Sequence, residues 1–177
     1  MNKDQKRTLP SGVEISFRVV GPEDAPALQR LHARCSKRTI YLRFFGSMRK
    51  LSDEQARYFA STDGVDHLGL VALDPQDPEE IIAVVRYARK PGEQRAEYAA
   101  LVEDSWQGQG IGAALTRWLI DEARGNRVRS FYAPVKDGNE RMLNVLRHLD
   151  LPERERVEDG EKMVEIGLSF EESQRTG

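Results

Sequence analysis

Apolar positions recur with two different periods along the chain, and the switches between them divide it into elements. Residues 13–20 alternate Val13, Ile15, Phe17 and Val19 with polar neighbours, which predicts a half-buried strand. After the turn at Gly21-Pro22-Glu23-Asp24, Ala27, Leu28, Leu31 and His32 fall on one helical face, closed by Cys35. Residues 36–46 hold an apolar-aromatic cluster of Ile40, Tyr41, Leu42, Phe44 and Phe45, with Arg38 and Arg43 set in it. Ser52 followed by Gln55 has capping-box spacing and opens a helix to about Ser61. Residues 67–73, 81–88 and 96–103 read as three strands joined by short turns, an antiparallel meander. A helix from about Ile111 to Arg124 ends at Gly125-Asn126. A strand at 128–135 and a helix at 139–149 follow, the helix stopped by Pro152. Val157 and residues 163–170 form a last hairpin across Asp159-Gly160. Residues 1–12 read as a mobile arm and 171–177 as a frayed tail, leaving one domain over 13–170. The expected class is α/β (α+β): a mixed, mostly antiparallel sheet of about seven strands flanked by about four helices.

Composition narrows the function classes. With 39% hydrophobic and 32% charged residues, the 177-residue chain reads as a soluble globular protein rather than a disordered one. A net charge of −2 lacks the basic footprint of a nucleic-acid binder. The single cysteine, Cys35, rules out an internal disulfide and suits a reducing compartment. The N-terminal residues have no apolar segment of the secretory kind, and no run approaches the roughly 18 residues of a membrane span. A cytoplasmic protein with no membrane partner is expected.

The chemistry concentrates at Gln107-Gly108-Gln109-Gly110-Ile111-Gly112-Ala113, between a strand and a helix. Glycines at alternate positions leave backbone N–H groups bare, and the helix N-terminus adds its dipole, so the loop suits a phosphate-bearing ligand. A P-loop requires Lys-Ser/Thr after its glycines, whereas Gly112 is followed by Ala113-Ala114. Gly108-x-Gly110-x-x-Ala113 fits the spacing of a dinucleotide fingerprint, but too little chain follows for the second half of that fold, and the preceding strands form a meander.

The same loop resembles the acetyl-CoA signature Q/R-x-x-G-x-G/A of the GCN5-related N-acetyltransferases (GNAT), and the order of elements agrees over nearly the whole chain. The resemblance implies that the N–H groups of residues 107–113 hold the CoA pyrophosphate. It also implies that the central strands at 97–103 and 130–135 splay apart, so that the pantetheine arm pairs with the opened edge, and that Asn139 lies beside that arm. Tyr41-Leu42-Arg43-Phe44-Phe45, Leu51-Ser52-Asp53-Glu54, Ala96-Glu97 and Asn139-x-x-Met142-Leu143 look like the acetyltransferase domain of bacterial protein-lysine acetyltransferases. Those often carry a fused synthetase-like or cyclic-nucleotide-binding domain. Neither fits in this chain, so such regulation is expected to be absent or supplied in trans.

Acetyl transfer needs a neutral amine, a held thioester and stabilisation of the oxyanion. Only roughly 10⁻³ to 10⁻⁴ of a lysine amine is neutral near pH 7, given a pKa of about 10.4, so a carboxylate that accepts its proton is useful. Glu97 matches the glutamate given this role in the lysine acetyltransferases; the plain alternative is a solvated residue near a strand end. Glu103 is second, sharing a face with Glu97 unless a bulge intervenes. The resemblance makes backbone N–H groups near Leu101 and Val102 the oxyanion donors. Leu146 stands where many members have a thiolate-protonating tyrosine, which leaves Tyr98 and Tyr132 as substitutes whose simpler role is packing. This gap also admits a non-catalytic acyl-CoA sensor. Arg43 either walls the acceptor site or lies over the aromatic cluster. Cys35 reads as a small buried hydrophobe, and His32, His67 and His148 lack metal-binding spacing. The expected partners are acetyl-CoA and an amine acceptor, a protein lysine or a small amine, with no metal and no nucleic acid, and the protein a monomer or homodimer.

Overall fold

The computed structural model describes residues 4–44, 49–135 and 140–168, with only the backbone of 140–143 described. One sheet runs through the molecule in the order β1-β2-β3-β4-β5-β6-β8-β7. The strands are β1 (Gln5–Thr8), β2 (Glu14–Val19), β3 (His67–Leu73), β4 (Ile81–Ala88), β5 (Arg95–Val102), β6 (Ser130–Pro134), β7 (Glu153–Glu158) and β8 (Glu161–Gly167). Every neighbouring pair is antiparallel except β5 and β6, which run parallel. The helices α1 (Ala25–Arg34), α2 (Lys37–Phe44) and α3 (Asp53–Ala60) cover one face; α4 (Ile111–Gly125) and α5 (Glu140–Arg147) cover the other.

The two faces explain the strand patterns. β3 and β4 lie between both helical layers and are buried on both sides, so their sequences read as continuous apolar runs rather than alternating ones. Ile15, Phe17, Leu70, Ala83, Tyr87, Tyr98 and Phe131 pack with Leu115 and Leu119 of α4 in the larger core. Val71, Ile81 and Leu101 pack with Leu28 and Leu31 of α1 and with Ala56 of α3 in the smaller one.

Two sequence expectations are corrected. Residues 5–8 lie in the stretch expected to be a mobile arm, yet they form β1, paired with β2 from Gln5↔Phe17 to Thr8↔Glu14. Buried Leu9 anchors the turn that follows, and Gly12 closes it at φ +86°. The aromatic cluster contains a helix, α2, so among the described residues there are eight strands and five α-helices. The expected hairpin across Asp159-Gly160 is formed: β7, exposed at all but its first position, pairs with β8. At the end of α4, Gly125 remains helical and Arg127 takes the left-handed conformation at φ +63°. The residues around 45–48, 136–139 and 169–177, including the expected C-terminal tail, lie outside the described residues.

The α1 layer is tied to the sheet by Arg18 on β2. Its guanidinium donates to both oxygens of buried Asp24, at 2.6 and 2.8 Å, and the Gly21 N–H donates to the same carboxylate at 2.8 Å. Burial alone would raise the Asp24 pKa; the hydrogen bonds from Arg18 and Gly21, with the charge of Arg18, outweigh it and hold it below the ordinary carboxylate value. A carboxylate with a depressed folded-state pKa contributes stability above its unfolded pKa of about 3.9, and that contribution is lost as pH falls through the folded value. Asp24→Ala is therefore expected to cost about 2 kcal/mol at pH 7 in urea unfolding. The difference from wild type should shrink as pH falls below about 4; a constant difference down to pH 2 would show that the ion pair contributes nothing.

Candidate active site

The loop before α4 is shaped by two left-handed glycines. Gly108 has φ +75° and Gly110, the N-cap of α4, has φ +85°. No side chain caps α4, so its first-turn N–H groups, at Ile111, Gly112 and Ala113, have no intrahelical partner and face the loop. Gly112 differs: a Cβ there would meet Val102 Cγ2 at 3.6 Å, an ordinary contact, and its φ is not positive. The two glutamines brace the loop. Gln107 Nε2 donates to the Val102 carbonyl at 2.9 Å and to Thr39 Oγ1 at 3.2 Å, and Gln109 Nε2 donates to the Ser105 carbonyl at 3.3 Å. Asp104 accepts from the Ser36 N–H at 2.8 Å and from the Thr39 hydroxyl at 3.1 Å, joining the loop to the start of α2.

Upstream of the loop, β5 and β6 part. They pair only at Arg95↔Ser130, Ala96↔Phe131 and Glu97↔Tyr132. β5 stays paired with β4 in unbroken register from Ala88↔Glu97 to Ala83↔Val102, so the expected possibility of a bulge in β5 is not realised. The Glu103 N–H donates to the Ile82 carbonyl at 2.9 Å. Antiparallel alternation then turns the Leu101 N–H toward β4, and those of Ala100 and Val102 toward the opened side. Of the two expected oxyanion donors, only Val102 faces the cleft; the Leu101 side chain instead packs in the smaller core.

Glu97 and Glu103 share a face, but six residues of strand, about 20 Å, separate them. Glu97 is exposed at the fork. Glu103 lies at the loop end, 16% exposed, with its carboxylate 3.3 Å from the Arg34 guanidinium, which also meets Glu80 at 2.6 Å. Tyr132 is on the Glu97 side of β6, half-buried; burial and the nearby Glu97 charge raise its pKa. Tyr98 faces the other core, its hydroxyl 2.7 Å from Thr116 Oγ1, and burial pushes it up to about 12. Leu146 is buried in that core.

On the Glu97 face, α1, α2 and α3 roof a partly enclosed cavity of about 30 Å³, lined by Arg43, Phe44, Phe59, Arg86, Ala99 and Leu101 among others. Arg43 stacks on Phe44, its guanidinium carbon 4.5 Å from the ring centre. Burial and repulsion from Arg86 bring its pKa down to about 10, still charged at neutral pH, with Glu97 acting in the opposite sense. Cys35 is half-buried; burial and the charges of Asp104 and Glu103 push its thiol up to about 12, which leaves no thiolate nucleophile. Among the described residues, no cluster of His, Cys, Asp or Glu could hold a metal ion, and no helix is long and apolar enough to cross a membrane.

A bare-backbone loop feeding a helix, downstream of a forked strand pair, can be compared with known proteins. The profile of the acetyltransferase (GNAT) family matches residues 29–150. The chain belongs to this family. An acetyltransferase of Pseudomonas aeruginosa is 30% identical to it over 139 residues, spanning 78% of this chain and 75% of that protein. The GNAT domain of S. lividans PAT is 29% identical with a TM-score of 0.84, covering 93% of this chain and 96% of that one. The structure of yncA from Salmonella typhimurium, with its cofactor acetyl-CoA, shares the fold at 14% identity and a TM-score of 0.68, covering 92% of this chain and 99% of that one. The GNAT protein described here is an acetyl-CoA-dependent N-acetyltransferase.

Its residues suit that co-substrate. The uncapped N-terminus of α4 and the loop amides of residues 108–113 supply donors for phosphate oxygens, and the open edge of β5 supplies alternating N–H and C=O groups for an extended amide-bearing arm. Asn139, the remaining expected contact, lies outside the described residues. Sequence reasoning passed over Arg86 and the brace by Thr39. The signal for Arg86 was legible: it is the one charged residue in the apolar run Ile81-Ile82-Ala83-Val84-Val85-Arg86-Tyr87-Ala88. A side chain at Gly110 would have to adopt the left-handed conformation, at a cost of about 1–2 kcal/mol. Gly110→Ala is expected to raise the Kd for acetyl-CoA about tenfold in a calorimetric titration, whereas Gly112→Ala leaves the unfolding midpoint within about 0.5 kcal/mol of wild type. Equal Kd values for Gly110→Ala and wild type would remove the loop geometry from the binding account.

Proposed function

We propose that the protein transfers the acetyl group of acetyl-CoA to a primary amine, foremost a protein lysine, with Glu97 accepting the amine proton directly or through water. The observation that carries this reading is the position of Glu97. It is the last residue of β5 paired with β6, solvent-accessible, and on the face that adjoins the roofed cavity. Glu103 is the weaker candidate because its carboxylate is already paired with Arg34. Similarity to the GNAT domain of S. lividans PAT supports a protein acceptor. In this reading Val102 and the loop amides hold the donor side. Glu97 works from the acceptor side, where the amine must lose a proton before it attacks the thioester carbon. The thiol of CoA has an ordinary pKa of about 8.5 and leaves without an obligatory acid; Tyr132, beside Glu97, is the available phenol if one is used.

Thiol release from acetyl-CoA with a panel of amines and lysate proteins, followed by mass spectrometry of the product, tests the activity. Glu97→Gln is expected to lower kcat about 10²- to 10⁴-fold at pH 7 with the KM for acetyl-CoA retained. The loss should diminish toward pH 10, where the amine, with a pKa of about 10.4, deprotonates unaided. A Gln variant as active as wild type at pH 7 would reject Glu97 as the base. Acetyl-CoA binding with no acceptor turned over would instead favour a non-catalytic sensor.

A further inference from the structure

Two arginines on the acceptor side have no ion-pair partner among the described residues, and the carboxylate whose charge bears on both is Glu97. Arg86 is only 8% exposed, and its Nη1 has no hydrogen-bond partner. Among the described residues, neither Arg86 nor Arg43 has a carboxylate within ion-pair distance. Both lie on aromatic rings: Arg43 on Phe44, and Arg86 at 4.8 Å from the centres of both Tyr58 and Phe59. Such stacking offsets only part of what a cation loses when it leaves water. The two guanidinium groups also repel each other. His32 adds a third polar group, since its Nε2 is buried without a partner. All three residues line the same cavity. Two like charges facing one space favour a negatively charged occupant, while burial keeps the His32 ring neutral.

The strand register says what that site adjoins. Arg86 stands opposite Ala99 and Ala88 opposite Glu97, so small residues leave the space open at both positions. Glu97 and Ala99 are two residues apart on one face, about 7 Å along β5. An acceptor with its amine near Glu97 and an acid group a few bonds away would span both. We infer that Arg43 and Arg86 form the specificity site for an acceptor amine that carries a carboxylate close to it. This rests on the acetyl-transfer reading above and adds the anionic group of the acceptor. The same chemistry occurs in a free amino acid and in an acidic side chain next to a peptide lysine. No bond to the carboxylate is made or broken: it pairs with the guanidinium groups while the amine reacts.

The test compares matched acceptors in the full chain: L-lysine against cadaverine, and a Lys-Glu peptide against its Lys-Gln counterpart. The carboxylate-bearing member of at least one pair should have a kcat/KM about tenfold higher, through KM, and which pair responds tells the free amino acid from the peptide. Arg86→Met and Arg43→Met should each abolish the preference, and Arg86→Lys, which keeps the charge, should restore part of it. Equal use of charged and neutral acceptors by the wild type, or a preference surviving in Arg86→Met, would overturn the inference. A second readout does not depend on turnover. Titration with glutarate should raise the Tm of the wild type and not that of Arg86→Met. The same response in both, a rise from anion binding elsewhere or no rise at all, overturns it as well. Absence of turnover with every acceptor, together with an Arg86-dependent glutarate response, would sink the acetyl-transfer reading and leave the anion site standing.

Discussion

The structure depends on the parting of β5 from β6 after the Glu97↔Tyr132 pair. Backbone N–H and C=O groups rarely remain unpaired inside a protein, so a strand that leaves its neighbour must find other partners or be held open by rigid surroundings. Here the surroundings are rigid. β5 keeps its full register with β4. Tyr98 stacks on Phe131 across the fork, with ring centres 5.6 Å apart and planes within 18°, and its hydroxyl is anchored to Thr116 of α4. At the far end, Gln107 ties the loop to the Val102 carbonyl. The opening is thus built by packing on one face and by side-chain hydrogen bonds at the loop, and it leaves the Ala100 and Val102 amides directed toward the opened side of β5.

The two faces of the sheet divide the work. The α4 face is a conventional apolar core whose burial positions the helix N-terminus over the end of β5. The α1–α3 face carries ion pairs and further cations: Arg18 with Asp24, Arg34 with Glu80 and Glu103, and half-buried Arg43 and buried Arg86, which lie on aromatic rings and have no ion pair among the described residues. Part of this second face is structural, since Arg34 joins α1 to both β4 and β5 through its two carboxylates. Arg43 and Arg86 have no such role among the described residues. The two layers are not independent, because Asp104 and Gln107 fasten the loop to Ser36 and Thr39 at the start of α2.

Much of the fold was legible where local pattern and tertiary role agree. β2 alternates because one of its faces is solvated, β3 and β4 are continuous because both faces are covered, and Asp159-Gly160 turns at φ +51° and +78°, as a tight hairpin requires. The misses share a cause. β1 is a polar edge strand, and no apolar alternation marks Gln5-Lys6-Arg7-Thr8. α2 begins at Ser36, whose hydroxyl accepts from the Thr39 N–H at 3.1 Å, and it is fastened by Asp104, which is distant in sequence. In each case the stabilising partner lies on another element, beyond the reach of a local pattern.

The same division holds for the site. The sequence by itself determined the loop, because Gly108 and Gly110 act through local backbone geometry, and alternation put Glu97 and Glu103 on one face of a strand, with the resemblance to the lysine acetyltransferases singling out Glu97. The tertiary structure alone gave these equivalents different surroundings. It paired Glu103 with Arg34, turned the Leu101 amide to β4 and that of Val102 to the cleft, and brought Arg43 from a helix against Arg86 from a strand. Periodicity assigns a side chain to a face, but charge pairing, ladder polarity and the meeting of distant residues exist only when the strands are side by side.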